Sequence, residues 1–197
     1  PGGSKWISAV EEKLNSTGYP DGTLKERLLA VRYRDQAVLD ELGGILGHDF
    51  DQFLVEYRPY MTWEQVRDLQ KKGFSIGAHS LDHPEYRFLS LEEQIRQTEL
   101  SLQAVRDNTT EKLESFAFPF TDFGVSRAFF EHFGMGKSKG DMLVMMGSAG
   151  LKRDTFPRHV QRLPMEGPSD DATTILKSHY LYYLLKMLLG KNRIHRT

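Results

Sequence analysis

Two histidines four residues apart form the densest group of metal-capable side chains in this sequence. They are His79 and His83, with Asp82 between them, and they follow the short apolar run 74–76. Neutral imidazole is the commonest biological ligand for zinc and related ions, and a catalytic zinc usually takes three protein ligands. The segment therefore supplies two ligands of a candidate zinc site and leaves a third to be found.

The residues around the pair predict a loop at the end of a strand. A spacing of four would place both rings on one face of a helix. However, Pro84 disfavours helical dihedrals at His83, and Gly77 is a poor helix former. We therefore expect a strand over residues 74–78, followed by a loop that carries both rings on its rim.

Three segments of the chain resemble the polysaccharide deacetylases (carbohydrate esterase family four). Residues 79–83, His-Ser-Leu-Asp-His, resemble the family's second motif, H-[ST]-x-x-H, and they sit between a strand and a helix as in the family. Residues 116–120, Phe-Ala-Phe-Pro-Phe, resemble the third motif, and residues 156–164 resemble a late strand region of some bacterial members. The resemblance spans about residues 60–190 and depends mostly on the histidine motif.

The resemblance implies a metal-dependent hydrolase that removes N-acetyl groups from amino sugars or polysaccharide. It implies that His79 and His83 hold a divalent metal ion, zinc above all, and that Asp82 turns outward or orients a ligand. It also implies that the backbone amide of Phe120, after Pro119, is an oxyanion donor. The implied partner is a carbohydrate that carries N-acetyl groups.

The remaining catalytic groups of the family are matched less well. Ala117 stands where the family often has an arginine that orients the base, and His159 is the candidate for the general-acid histidine. Arg158 and Arg162 beside His159 are equally consistent with surface charges. Residues 116–120 are equally consistent with a buried strand, so both interpretations stay open.

The family's first motif, T-F-D-D-G, supplies a general base and a third metal ligand, and it has no match here. The nearest segment is 18–22, where Pro20 stands in the place of the base and Pro-Asp-Gly is a turn signature. We therefore expect the first strand to lie before Pro1, which leaves an open sheet edge beside residues 74–78. The alternatives are an incomplete or inactive domain that binds carbohydrate or a partner without catalysis, and a structural scaffold with an accidental histidine pair.

The composition describes an ordinary globular chain of one domain, or of one domain with an appendage. The chain has 197 residues, 39% of them hydrophobic and 27% charged, and a net charge of −1, which argues against nucleic acid or an anionic membrane as the main partner. It has no cysteine, so disulfides and thiolate ligands are excluded. No stretch reaches the ~18 apolar residues of a membrane span. The sequence starts at Pro1 without a methionine or a visible signal peptide, so localisation stays open, with the cytoplasm slightly favoured.

Hydrophobic periodicity divides the chain near residue 60. Residues 1–60 predict short helices and resemble a helical insertion of some family members. Residues 61–197 alternate between helix and strand, which predicts an α/β fold, here a partial or irregular (β/α) barrel of the deacetylase type. A long helix that starts at residue 90 is expected to bury Leu91, Ile95, Leu102 and Val105. The other predicted helices are 24–32, 36–46, 50–57, 62–72 and 125–133, and the predicted strands are 74–78, 116–120 and 142–146.

The last predicted helix, residues 172–189, is apolar on most sides and is followed by a basic tail. We expect it to pack as a terminal helix of the fold. A membrane-surface or dimerisation helix is the alternative, because basic flanks and a wide apolar face fit both. A homo-oligomer formed through this helix or through the open sheet edge is a further expectation.

Overall fold

The computed structural model describes residues 3–18, 21–135, 143–165 and 171–196. The chain divides into two compact units, Pro1–Thr62 and Trp63–Thr197. Residues 19–20 of the expected turn and residue 142 of an expected strand lie outside the described ranges.

The first unit is helical in its described parts. Its small core consists of Val10, Leu14 and Leu42, which are almost completely buried. A capping box between Thr23 and Glu26 starts its second helix, and this arrangement satisfies amide donors that a helix end leaves free. The helices predicted here begin at the predicted residues and end within two of the predicted ends. The described helical elements of this unit are α1 (Gly3–Ser16), α2 (Leu24–Ala30), a 3₁₀ turn (Tyr33–Asp35), α3 (Gln36–Ile45) and α4 (Phe50–Tyr57), and α2, α3 and α4 are the predicted ones.

The second unit alternates between helices and short strands. Its helices are α5 (Trp63–Lys71), α6 (Leu91–Asn108), α7 (Arg127–His132) and α8 (Ala172–Leu188), with a 3₁₀ turn at Tyr86–Phe88. Its strands are β1 (Ser115–Ala117), β2 (Val144–Gly147) and β3 (His159–Gln161).

The three strands form one parallel sheet in the order β1-β2-β3. Met145 of β2 is opposite Phe116 of β1 on one side and His159 of β3 on the other. A small parallel sheet with helices between its strands is an α/β fold, as predicted, whereas the described strands do not close into a barrel.

The strand predicted over residues 74–78 is reduced to a single parallel bridge between Ala78 and Phe116. The Ala78 amide donates to the Ser115 carbonyl at 2.8 Å, and the Ala117 amide donates to the Ala78 carbonyl at 2.9 Å. Phe74 is 60% exposed, and no described residue pairs with Ala78 on the side away from β1. Among the described residues, Ala78 thus has a pairing partner on one side only, and the pairing does not extend toward residue 74.

The core of the second unit is aromatic. Phe116 and Phe118 from the β1 region meet Phe129 and Phe130 of α7 and the fully buried Tyr86, with ring centroids 5.1–6.0 Å apart. Such edge-to-face and tilted pairs add to the free energy gained by burying the rings. The cluster fixes the end of β1 next to the loop that follows Ala78.

Helix α6 buries much of the apolar face that the sequence predicted, but it buries polar residues as well. Leu91 is 40% exposed, whereas Gln94, Gln97 and Thr98 are buried. The reason is that α6 lies beside an irregular segment whose backbone polar groups need partners. Gln94, for example, donates from Nε2 to the Tyr86 carbonyl at 2.8 Å. Leu102 is buried as predicted, and Ile95 and Val105 pack partly against the core.

Helix α8 does not pack into the core, so the expectation of a packed terminal helix is wrong for the described residues. None of its residues is buried, and Leu188 is 74% exposed. One anchor is the Tyr183 hydroxyl, which donates to the Ala149 carbonyl at 2.8 Å. Within the described ranges, no helix is both long enough and apolar enough to cross a membrane.

Candidate functional site

His79 is placed by the bridge between Ala78 and β1. Its ring Nδ1 lies 2.7 Å from the Ala117 carbonyl oxygen. A carbonyl oxygen only accepts, so Nδ1 carries the proton and donates, and Nε2 is left with a free lone pair. The ring is exposed. The backbone of β1 thus orients His79 and selects the tautomer in which Nε2 is able to bind a metal ion.

His83 reaches the same point from the other end of the loop. Its Nε2 lies 3.1 Å from the Nε2 of His79, and the two rings meet edge to face. Two nitrogen ligands ~2.0–2.1 Å from one tetrahedral ion lie ~3.3–3.4 Å apart. The observed separation matches that value closely and is within the limit of about 4 Å that shared ligands require. The two rings therefore fit a shared divalent cation.

The loop between the histidines has an unusual backbone. Ser80 and His83 have φ values of 67° and 56°, in the left-handed region that non-glycine residues rarely adopt. The Ser80 hydroxyl accepts from the His83 amide at 3.0 Å and closes a local turn. Such conformations cost about 1–3 kcal/mol each and persist where surrounding contacts impose them. The cost is balanced here by the contacts that bring the two rings together.

The pKa of His83 is lowered below its usual value. Burial of the ring is the main cause, and the neighbouring His79 ring lowers the pKa further. A lowered pKa keeps the imidazole neutral at pH 7, which is the state that binds a metal ion. The lowered pKa of His83 therefore favours ligation over a charged role for this ring.

Phe120 stands beside the histidine pair. It also has a left-handed backbone, with φ 53°, and its side chain is 63% exposed. Its ring lies 4.8 Å from the His83 ring in an edge-to-face contact. No described residue accepts a hydrogen bond from the Phe120 amide. An amide in this position is available to an oxyanion next to the two histidines.

The segment that leads to Phe120 is held on both sides. The Phe118 amide donates to the Met146 carbonyl at 3.0 Å, and the Arg162 guanidinium donates to the Phe118 carbonyl at 2.7 Å. Arg162 also donates from Nε to the Gly147 carbonyl at 3.1 Å, and Pro119 is buried. Arg162 is therefore a partly buried clamp between the ends of β1 and β2 rather than a surface charge.

Gln97 of α6 holds the histidine loop from the other side. Its Oε1 accepts from the amides of Leu81 and Asp82 at 3.0 and 3.2 Å. Its Nε2 donates to the Asp82 carboxylate at 2.7 Å and to Glu93 at 3.0 Å. Asp82 is thereby tied to α6, and the contact with Gln97 gives it a role in fixing the loop. The fully buried Gln97 completes the support of the site.

A second group of charged side chains is buried in the same unit. His159 Nδ1 donates to Asp154 at 2.8 Å, and Arg196 Nη2 lies 2.5 Å from Asp122 Oδ2 and 2.7 Å from Asp154 Oδ2. All four side chains are between 0% and 4% exposed. Burial alone would raise the pKa of Asp154, but hydrogen bonds from His159 and Arg196 outweigh it and hold that pKa well below its usual value. The pKa of Asp122 is lowered as well: burial raises it, and the Ser148 amide and Arg196 outweigh that effect.

This buried group resembles a metal centre in its composition but already contains a cation. Ligand atoms of Asp122, Asp154 and His159 all lie within 4.8 Å of one another. Arg196, however, makes short contacts with both carboxylates, so a metal ion would have to displace a buried guanidinium. We therefore describe the group as an ion-pair network.

The position of His159 argues against the general-acid role that the resemblance implied. Its side chain is fully buried, and Phe118 and Phe130 lie against its ring. A general acid has to reach the leaving group of the substrate. His159 instead donates to Asp154 inside the network, because β3 starts with this residue on the core side of the sheet.

Within the described ranges, no third metal-capable side chain joins the histidine pair. Among the described residues, the only group of three metal-capable side chains is the one around Arg196. The Asp82 carboxylate is held by Gln97, and the Asp122 carboxylate is held by Arg196. The histidine pair is thus a partial site with two imidazoles and one backbone amide.

The chain matches one known family over the part that holds this site. Residues 45–128 match the family model described as polysaccharide deacetylase. The matched stretch includes the histidine pair, Gln97 and Phe120, and it ends before β2, so residues 156–164 lie beyond it. Over this stretch the chain is similar to the polysaccharide deacetylases, a family that acts on carbohydrates and is generally metal-dependent. Comparisons with curated proteins and with solved structures gave no significant match.

Three residues of the site region were not found from the sequence. Gln97 lies on the polar face of α6, whereas the sequence predicted burial of the apolar face. Asp154 and Arg196 are ordinary charged residues in sequence, and only the fold brings them together across 42 positions. The row of polar residues Gln94, Gln97 and Ser101, spaced by three and four, was the one signal that a polar face of α6 is buried.

Proposed function

We propose that this protein is a metal-dependent hydrolase that removes N-acetyl groups from amino sugars of a polysaccharide. The observation that carries the proposal is the Nε2–Nε2 distance of 3.1 Å between His79 and His83, with His79 Nδ1 bound to the β1 backbone. The family match supports the reaction class, since it includes both histidines. We also propose that the parallel sheet is part of the (β/α) barrel that the family suggests.

The residues present fit a zinc ion, because both rings are exposed, their Nε2 atoms converge, and a hydrogen bond to the Ala117 carbonyl orients the His79 ring. Zinc held by His79 and His83 would supply Lewis-acid polarisation of the acetyl carbonyl. The Phe120 amide stabilises the negative charge that develops on that carbonyl oxygen. The exposed Phe120 ring offers an apolar surface to the sugar, next to His83.

A specific observation favours a second candidate, a domain that binds carbohydrate without catalysis. The site lacks a third ligand among the described residues, and Ala117 occupies the position of the family's arginine. With two imidazoles the ion is held loosely, and no carboxylate is identified to take the proton from water. Under this proposal, an exposed aromatic ring and the two histidines bind sugar and nothing is hydrolysed.

Zinc titration calorimetry and acetate release from N-acetylglucosamine oligomers test the two candidates. We expect weak zinc binding that requires both histidines, and slow acetate release that zinc increases. His83→Ala should abolish both, whereas His132→Ala, a surface histidine paired with Glu99, should preserve both. Oligomer binding without acetate release supports the second candidate. Zinc binding that persists in His83→Ala removes the metal role of the pair.

A further inference from the structure

The ion-pair network around Arg196 plays no part in the proposed chemistry, yet it is the most buried charged group described in the molecule. Arg196 donates from Nε and Nη2 to Asp154 Oδ2 at 2.9 and 2.7 Å, and from Nη2 to Asp122 at 2.5 Å. Its guanidinium also lies over the Phe130 ring, 4.2 Å from the centroid. Desolvating a charge costs several kcal/mol, so this arrangement persists only because nearly every donor has a partner.

Arg196 also binds the backbone of one particular loop. Its Nη1 lies 3.2 Å from the Asp122 carbonyl oxygen and 3.3 Å from the Val125 carbonyl oxygen. The Asp122 side chain in turn accepts from the Ser148 amide at 2.9 Å. Arg196 therefore fixes residues 122–125 to the end of β2 through both main-chain and side-chain contacts.

The close approach of this loop to β2 requires a glycine. A Cβ atom at Gly147 would collide with the carboxylate of Asp122 and with the side-chain oxygen of Gln161. The tail that carries Arg196 is itself held, because Ile194 donates to the Arg153 carbonyl at 2.8 Å and the Arg153 amide donates to the Asn192 carbonyl at 3.0 Å. Residues 192–196, called the C-terminal strap below, therefore connect the β2–β3 loop at Arg153 to the loop after β1.

The loop fixed by this strap carries the oxyanion donor of the proposed site. Phe120 lies two residues before Asp122, and its left-handed φ of 53° is a conformation that surrounding contacts have to impose. The Thr121 amide turns back onto the Pro119 carbonyl at 2.6 Å, so the segment between Pro119 and Asp122 is short and tight. A displacement of Asp122 is therefore transmitted to the Phe120 amide and to its ring contact with His83.

We propose that Arg196 is a positioning residue for the candidate active site. It supplies the cation that holds Asp122 and Asp154 together, and through the Asp122 backbone it keeps Phe120 beside the histidine pair. The expected effect on the reaction rate rests on the proposed function. The effect of Arg196 on the positions of Phe120 and His83 does not. A misplacement of about 1 Å in such a group costs up to ~10²-fold in rate.

The test uses the full chain with three substitutions: Arg196→Ala, Arg196→Lys and Arg193→Ala. Arg193 is the matched control, because it lies on the same tail and its side chain has no ion-pair partner among the described residues. The readouts are the NMR resonances of the Phe120 amide and the His83 ring, followed by acetate release. We expect both resonances to shift in the two Arg196 variants and to stay unchanged in Arg193→Ala. Lysine keeps the charge but cannot reproduce the forked contacts to two carboxylates and two carbonyls.

Chemical rescue separates positioning from a general loss of stability. Adding about 20 mM guanidinium, far below the molar concentrations that unfold proteins, should return the Phe120 and His83 resonances of Arg196→Ala toward their native positions. Lithium chloride at equal ionic strength should not. If Arg196→Ala does not fold, recovery of the native resonances on refolding with guanidinium supports the inference. In that case the Phe120 and His83 resonances of Arg196→Lys are compared with those of the unmodified chain.

In the acetate-release assay, the Arg196 substitutions should change kcat more than KM. We expect a fall in kcat of about 10-fold or more in Arg196→Ala with a smaller change in KM, because the lost contact acts in the transition state. A folded Arg196→Ala or Arg196→Lys variant with native Phe120 and His83 resonances would overturn the inference. If the unmodified chain releases no acetate, the proposed function fails, but the NMR comparison still decides whether Arg196 positions Phe120.

Discussion

Replacing Gln97 with leucine removes the contacts that tie the histidine loop to α6. The native side chain accepts hydrogen bonds from the Leu81 and Asp82 amides and donates to the Asp82 and Glu93 carboxylates. Leucine has a similar volume and keeps the buried space filled. The substitution therefore tests the polar contacts without creating a large cavity.

The expected cost follows from the groups that lose their partner. Each buried polar group left unsatisfied costs about 1–3 kcal/mol, and partly exposed groups fall at the lower end because water replaces part of the contact. The two amides and the two carboxylates each lose one hydrogen bond and are partly exposed, which gives a loss of about 2–3 kcal/mol in the free energy of unfolding. For a chain of this size that loss corresponds to a fall in Tm of about 5–10 °C.

The substitution should also weaken metal binding at the proposed site. A loop released from Gln97 no longer holds Ser80 and His83 in their left-handed conformations, so the two rings separate more readily. Contacts that orient metal ligands are worth about 10- to 100-fold in affinity. We expect zinc binding to Gln97→Leu to be weaker by about 10-fold.

Urea unfolding and zinc calorimetry measure these two effects on the same samples. Gln103→Leu is the matched control, since Gln103 lies on the same helix but bonds only to exposed Arg106 and Asp107. Its unfolding free energy should change by less than ~0.5 kcal/mol. A Gln97→Leu variant with the native unfolding midpoint and the native zinc affinity would show that the buried amide does not hold the loop.

Three further outcomes are expected. His79→Ala should lose zinc binding by calorimetry while its far-UV circular dichroism stays native, because the exposed ring is not part of the core; zinc binding at native strength would contradict the shared site. The pKa of Asp154 is lowered in the folded state, so its stabilising effect should be complete above the ordinary carboxyl pKa of about 4 and should be lost progressively as the pH falls below it. Between pH 7 and pH 3 the urea midpoint should therefore fall less in Asp154→Asn than in the unmodified chain. An equal fall in both would show that the ionised Asp154 does not stabilise the fold. Gly147→Ala should destabilise the chain by about 1–3 kcal/mol in urea unfolding, because its new methyl group meets Asp122 and Gln161; an unchanged midpoint would mean that the loop moves aside freely.

The local sequence predicted most of the helices and the position of the histidine loop. Hydrophobic spacing and N-capping residues such as Thr23, Asp49 and Ser90 act within one or two turns, so helix starts are encoded locally. The same is true of the histidine loop, where Pro84 and Gly77 exclude a helix whatever the rest of the fold does. The placement of both histidines on one short loop is thus a short-range property of the sequence, whereas the distance between their rings also depends on Gln97 and β1.

The strand lengths and the exposure of α8 could not be predicted in this way. A strand needs neighbours, and residues 74–78 have one on a single side, so only Ala78 enters the ladder. Helix α8 is apolar on most sides, which favoured burial, but its described residues are left outside the core. Whether a helix or strand is buried depends on the segments that pack against it, and those segments are distant from it in the sequence.

The support of the site was decided by the tertiary structure alone. Gln97 is 14 residues from His83, and Arg196 is 74 residues from Asp122, so nothing local marks either contact. Both residues are polar and would ordinarily be assigned to the surface. They are buried because they form hydrogen bonds with backbone groups and carboxylates of distant segments. The sequence by itself determined which side chains are able to hold a metal ion, since imidazole chemistry and spacing are local properties. The tertiary structure determined which backbone groups, amides and charges hold those side chains in place, because unsatisfied polar groups find their partners only when distant segments pack together.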